Sequence, residues 1–552
     1  MPCLSVVECP ALDASCLRIH RFSTRKTIHL LALLATLPVI APAAVTNYIW
    51  DGNAPNGNGN RRWSSAVNWA ATNTVPPANN VRGLTNSDIT FAGSLKLSPS
   101  MQNPYFIRSL VFDPTAGAFT LTAPGSTVLT IGAGGIVNQS ANTQTIVNNL
   151  SLSNSQTWNA SAGNLVVRGS VNLGANALTV AGAANVFQTN VIQGSGRIIK
   201  QGTGNLTLAG TGANVFSGGT TLDAGNITVA KVNALGSGPL TVNSGSLNLG
   251  SFNQTVGVFT MNGGSVVGTT AILTASAYQI NSGTVNVRLG GNAPLVKSGS
   301  GTTTVTTPNV FNGGTIVNGG TLAINNTTGS GTGTGNVAVN SGGKLMGTGT
   351  VAGMITNGPG GTISAGSSVG LFNTGTQFWL GGSTNQWEIS DAAGTAGVGW
   401  DLLNISGALN ILATASNKTS LDVISFTLGG VPGQATNFDP AQSYLWTIAQ
   451  TSGGVTFLAG QDVTSAFDLR VGGFANPLNG GAFDLALSSD GAQLNLVYTP
   501  AIIVPEPDKL SFAALAVCGY IYGRRFKQNW RSEYRPARRK DPQSSSTATA
   551  AA

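Results

Sequence analysis

A period of 19 to 20 residues constrains this chain more than any other feature. Glycine followed by apolar residues at the second and fourth positions after it occurs as Gly204-Asn205-Leu206-Thr207-Leu208, Gly225-Asn226-Ile227-Thr228-Val229, Gly245-Ser246-Leu247-Asn248-Leu249 and Gly283-Thr284-Val285-Asn286-Val287. Weaker copies start at Gly264, Gly301, Gly320, Gly343 and Gly361, and successive copies lie 18 to 23 residues apart. Apolar residues two apart share one side of a strand while Asn, Thr and Ser between them point the other way, so each phrase reads as a short strand entered through a glycine turn. One such unit cannot bury its apolar side alone. Stacked units bury a continuous column and pass backbone hydrogen bonds from coil to coil. The expected fold is all-β: a right-handed parallel β-helix over 101–371, between a β-rich N-terminal cap over 44–100 and a β-rich cap or separate sandwich over 372–500.

Composition supports a stack. Only 8% of residues are charged, against roughly 25% in ordinary globular chains, and like charges repeated on neighbouring rungs would repel where Asn, Ser and Thr can form ladders. The formal net charge of +8 divides into +2 for 1–44, +1 for 45–504 and +5 for 505–552. A nearly neutral body argues against nucleic acid as a partner, because phosphate binding needs Lys and Arg spread over a folded face. Residues 45–517 contain neither His nor Cys, which removes imidazole catalysis, thiol nucleophiles and Cys/His metal sites from the body. No cofactor and no metal are expected.

The two ends read as addresses. Arg18, Arg21, Arg25 and Lys26 precede an apolar run from Leu30 to Ile40 and then Ala41-Pro42-Ala43-Ala44, the order of a secretory signal peptide over 1–43 with cleavage after Ala43. At the other end, within 501–552, Val504-Pro505-Glu506-Pro507 is followed by an apolar stretch from Leu510 to Gly523 and by Arg524-Arg525. This tail resembles the sorting signal of PEP-CTERM proteins. The resemblance implies export, recognition of Pro-Glu-Pro by an exosortase-type membrane transpeptidase, and delivery to the cell surface or exopolysaccharide matrix, with the membrane engaged only through the tail before processing. The tail departs from that pattern in its short apolar run, in Asp508-Lys509 directly after the motif, and in the long stretch after Arg525.

Two longer segments, Gly194 to Val229 and Leu295 to Ile324, share more than the period. Phe216-Ser217-Gly218-Gly219-Thr220 recurs as Phe311-Asn312-Gly313-Gly314-Thr315, a shift of 95 residues or five steps of 19. Here the chain resembles the autotransporter-associated β-strand repeat family, and the likeness extends over about 46–507. It implies a large secreted bacterial surface protein built as a β-helix, and it brings no catalytic residues.

Candidate chemistry outside the stack is sparse. Asp223 is the only acidic residue between Asp113 and Glu388, and Arg168, Arg197, Lys200, Lys231, Arg288, Lys297 and Lys344 are scattered. A denser acidic set, Glu388, Asp391, Asp401 and Asp422, lies in the C-terminal region, where it reads as turn carboxylates. Asp51, Asn53, Asn56, Asn58 and Asn60 form an oxygen-rich loop without the carboxylates of a strong calcium motif. Trp50, Trp63 and Trp69 read as packing of the N-terminal cap. Phe483–Leu487 and Leu494–Tyr498, joined through Asp490-Gly491, read as an antiparallel hairpin. The expectation is a secreted, non-catalytic structural or interaction protein. Two alternatives remain: a glycan-binding adhesin using exposed aromatics, and a carbohydrate-active enzyme using the C-terminal carboxylates.

Overall fold

The computed structural model describes residues 45–52, 60–70 and 86–502. The expected leader with Ala41, Ala43 and Ala44, and the expected sorting motif with Val504, Pro505, Glu506, Pro507, Arg524 and Arg525, lie outside the described residues, as do Asn53, Asn56 and Asn58 of the asparagine loop.

From Thr46 to Gly473 the described chain winds as a parallel β-helix with three strand-bearing faces. One full coil runs Ala177–Ala181 on the first face, Val186–Gln188 on the second, Ile192–Gly194 on the third, and Arg197–Lys200 back on the first. On the first face, fourteen successive strands from Gln156–Ala160 to Val455–Phe457 pair in parallel, each with the strand one coil on. The only helices among the described residues are Val463–Ala466 and the 3-10 turn Ala66–Asn68.

The alternation seen in the sequence is the inside–outside code of the coils. One inward column of the first face runs Trp158, Val180, Lys200, Leu222, Val242, Met261, Ile280, Lys297, Val317 and Val339. On the second face Leu206, Ile227, Leu247, Val266 and Val285 stack the same way. The apolar members of both columns are at most 2% exposed. Outward polar side chains form ladders of their own: Asn243, Asn262 and Asn281 each donate from Nδ2 to the residue one coil earlier, starting at Asp223, at 2.7–2.8 Å.

Glycine serves the corners for two different reasons. Where the first face turns into the second, Gly225, Gly245, Gly264 and Gly283 have φ between +70° and +111°, which side-chain-bearing residues rarely adopt. Where the third face turns into the first, Gly218, Gly238, Gly313, Gly335 and Gly353 have ordinary φ but touch the coil below: a Cβ on Gly353 would sit 2.1 Å from the Gly335 carbonyl oxygen. The recurring Gly-Gly of the two Phe-containing segments is this corner.

The C-terminal region differs from the expected cap or sandwich over 372–500. Parallel pairing continues through Gln377–Leu380, Leu409–Leu412 and Val455–Phe457 on the first face and through Thr384–Ile389, Thr419–Ser425 and Phe467–Gly473 on the second. The glycine phrase fades because these coils carry longer excursions, such as 390–401 and 426–443, and enclose larger side chains, with Trp379 and Trp387 both at most 1% exposed. The chain therefore loses its period without leaving the stack. Among the described strands the antiparallel ladders are those of the hairpin Ala482–Leu487 and Gln493–Thr499, which closes the third face by pairing on Tyr444–Thr451. At the N-terminal end, Thr46–Trp50 and Ser87–Phe91 already pair in parallel with the strands that follow, so the region taken as a separate cap holds the first strands of the ladder.

Candidate functional site

The C-terminal carboxylates are the sharpest chemical candidates, and the structure buries Glu388 and Asp401 as neighbours while placing Asp391 and Asp422 elsewhere. Asp401 is 2% exposed. Its Oδ1 accepts from the Gly370 N–H at 2.8 Å and its Oδ2 from the Glu388 N–H at 3.1 Å, so it fastens the 390–401 excursion to two coils. Burial pushes its carboxyl well above the usual carboxylate range, and the neighbouring Glu388 pushes it the same way, against those two N–H groups and Lys344. Glu388 is also raised by burial, with Lys344 opposing. Asp391 accepts from Ala393 N–H in its own turn and from Asn437 Nδ2 of the 426–443 excursion, and Asp422 faces Arg470 across the last strand pair of the second face at 3.7 Å. Asp391 and Asp401 thus fix loops and Asp422 a strand pair, while Glu388 Oε2 is buried without a hydrogen-bond partner. Glu388 and Asp401, the neighbouring pair, are 6% and 2% exposed, buried where paired glycosidase carboxylates must flank a sugar.

The tryptophans are equally committed. Trp50, Trp63 and Trp69 are 0–4% exposed, and Trp69 meets the other two edge-to-face at 5.3 and 6.0 Å. Among the described residues every aromatic side chain is buried or half-buried, with Phe378 among the half-buried ones on the outside of the stack. In a stack with so few long side chains, the rings are the main filling at both ends of the core. Among the described residues there is also no group of three or more His, Cys, Asp or Glu that could hold a metal.

Two of the residues read as scattered are not scattered. Lys200 and Lys297 occupy the same inward column of the first face, both at most 1% exposed. Lys200 Nζ donates to the carbonyls of Gln201 at 2.7 Å, Gly202 at 2.8 Å and, one coil on, Ala224 at 3.4 Å. Lys297 Nζ repeats this with Ser298, Gly299 and Gly319 at 2.7, 3.0 and 2.9 Å. Each ammonium thus closes a corner and ties it to the next coil. Burial pushes Lys200 down to about 8 and lowers Lys297 as well. The signal was present in the sequence as Lys-x-Gly-x-Gly, at Lys200-Gln201-Gly202-Thr203-Gly204 and Lys297-Ser298-Gly299-Ser300-Gly301.

A second repeated device sits one face away. Asn214 Oδ1 accepts from Ile192 N–H at 2.9 Å while its Nδ2 donates to Ala234 O at 2.6 Å, so one side chain joins three coils. Asn309 does the same between Leu289 and Gly331, at 2.7 and 2.6 Å. Lys-corner and Asn-bridge recur together, along with the buried Phe216 and Phe311.

Both devices fall within, or directly between, the strands of two segments, 198–229 and 295–324, that match the passenger-associated-transport-repeat model. The chain carries passenger-associated transport repeats. Each repeat begins on a first-face strand and ends on the second-face strand one coil later, so it spans one coil and the start of another, with the lysine near its beginning. Over an alignment of 158 residues that covers 27% of the chain, it is 31% identical to the adhesin BmaC autotransporter of Brucella suis biovar 1 (strain 1330). That match covers 4% of the Brucella protein, so the chain spans a small part of the relative it resembles. Among the described residues no helix is long and apolar enough to cross a membrane.

Proposed function

We propose that this protein is an exported, non-catalytic surface or extracellular-matrix component that acts by adhesion, presenting the outside of a long β-helix. The observation that carries this reading is that passenger-associated transport repeats coincide with the coils themselves, in a chain similar to part of an adhesin. Fold does not imply function. The surface supports the reading independently, because it is nearly uncharged and polar through amides and hydroxyls, and the clustered carboxylates that sugar cleavage would need are tied into the scaffold. Export through the leader before Ala44, and sorting through Val504-Pro505-Glu506-Pro507 with Arg524-Arg525 by an exosortase-type transpeptidase, belong to the same proposal.

Adhesion is tested with the purified full chain coupled to inert beads and presented to bacterial cells and to their isolated exopolysaccharide under flow. Beads carrying the folded chain are expected to be retained at least several-fold more than beads carrying heat-unfolded chain. Equal retention would overturn the adhesive role.

A further inference from the structure

The outward column of the first face changes character along the stack. In the earlier coils it reads Thr179, Ile199, Thr221, Thr241 and Thr260, and from the coil of Leu295 onward it reads Val296, Ile316, Ala338, Thr356 and Phe378. Apart from Thr356, the second run is an apolar strip on the outside of the molecule, its members half-buried by neighbours and open above. Ala338 is the smallest side chain in it. The third-to-first corner beside it is the glycine column of Gly313, Gly335 and Gly353, which has no side chains to raise a wall. Together they leave a shallow recess of about 440 Å³ over Ile316, Ala338 and Thr356.

Both banks of this trough carry amides. On the glycine side stand Asn312 and Asn336, exposed and lining the recess. On the other side stand Asn318 and Asn340, exposed, with Asn340 Nδ2 donating to Asn318 Oδ1 at 2.8 Å. Each of these amides keeps donor and acceptor capacity to spare. No charged residue lines the recess.

We infer that this trough binds a neutral, extended glycan chain lying along the helix axis. The aliphatic floor takes the C–H faces of successive sugar rings, and the amides on either bank take their hydroxyls, the usual division between apolar contact and orienting polar groups in a ligand site. The floor repeats once per coil, about 4.8 Å, close to the advance per ring of an extended β-linked glycan, so consecutive coils meet consecutive rings. The absence of charge sets the class: an anionic uronate chain finds no cation here, and each carboxylate would lose hydration without compensation. The inference rests on the reading of the protein as an adhesin and names the ligand class and the place.

The test is binding of the full chain to an array of immobilised neutral oligosaccharides (β-linked glucose, mannose, galactose and N-acetylglucosamine oligomers) alongside mannuronate oligomers. Binding to at least one neutral oligomer is expected, with none to the mannuronate series. Ile316→Asp and Ala338→Phe, both outward-facing and so compatible with folding, are expected to weaken it at least tenfold, while Thr241→Asp on the same face is expected to leave it unchanged. No neutral oligomer held above blank, preference for mannuronate, or binding indifferent to both trough variants would overturn the inference. So would self-association of the wild type that Ile316→Asp abolishes, since the trough would then belong to a second copy. If trough variants fall silent on the array while coated beads still adhere, the inference and the adhesive reading both stand with additional contacts elsewhere. Beads that adhere with no glycan bound would sink the inference and leave the adhesin.

Discussion

Replacing Gly353 by Ala is expected to unfold the coils around it. The added Cβ would lie 2.1 Å from the Gly335 carbonyl oxygen and 2.8 Å from its carbonyl carbon. Both are backbone atoms of the neighbouring coil and cannot rotate away, and the coil cannot retreat without breaking the parallel pairing of Val337–Val339 with Ile355–Asn357. Overpacking against side chains usually costs about 1–3 kcal/mol. A clash with fixed backbone in a stacked ladder belongs with the exceptional class above about 4 kcal/mol. Because each coil contacts only its neighbours, damage is expected to be regional. Hydrogen exchange of the full chain is expected to show amides of roughly 335–380 losing protection while the Gly204–Gly283 coils keep theirs. Gly429→Ala is the control, since the nearest atom to its Cβ would be the Thr427 hydroxyl at 3.8 Å; its exchange is expected to match wild type. Unchanged protection in Gly353→Ala would mean that the corner is not packed as described.

The second large effect is expected at the buried lysines. Lys200→Met keeps the length and removes the ammonium, leaving the carbonyls of Gln201, Gly202 and Ala224 without the donor that reaches them. An unsatisfied buried carbonyl costs about 1–3 kcal/mol, and relief from burying a charge without a carboxylate partner offsets part of the total. A net loss of about 3 kcal/mol is expected from urea unfolding near pH 7, with a comparable loss for Lys297→Met. The pH dependence supplies a second readout. With Lys200 at about 8 in the folded protein and near 10.4 when unfolded, the unfolded state binds more protons between those values. Folding stability from this group therefore rises as pH rises through that window. Wild type is expected to gain on Lys200→Met between pH 8 and 10. A variant as stable as wild type at every pH would show that the corner does not depend on the lysine amine as a donor.

How much of this was legible in the sequence follows from what repeats. The phrase glycines and the inward Leu, Ile and Val recur with the coil and are found stacked on their copies, while the two Phe-x-Gly-Gly segments mark the same corner several coils apart. Lys200 and Lys297 also recur, yet they were passed over because a basic residue in a sparse sequence reads as surface, and nothing local says that three carbonyls await it. The C-terminal boundary was misplaced for a related reason. Period is a property of coil length, whereas stacking is a property of strand pairing, and the excursions 390–401 and 426–443 lengthen coils whose strands still pair. The trough was hidden because Val296, Ile316 and Phe378 alternate with buried residues just as inward positions do, and only the register shows that they face outward.

The role as an exported surface protein is tested most directly by where the mature protein lies. The full chain is expressed in an exosortase-bearing bacterium, intact cells are treated with a protease too large to enter them, and both ends of the mature protein are determined by mass spectrometry. The expected result is a product that starts near Ala44, ends near Pro505, and is cut on intact cells within the excursions 390–401 and 426–443. A product that retains both ends and is cut only after lysis would contradict surface presentation, and with it the adhesive role assigned to the outside of the stack.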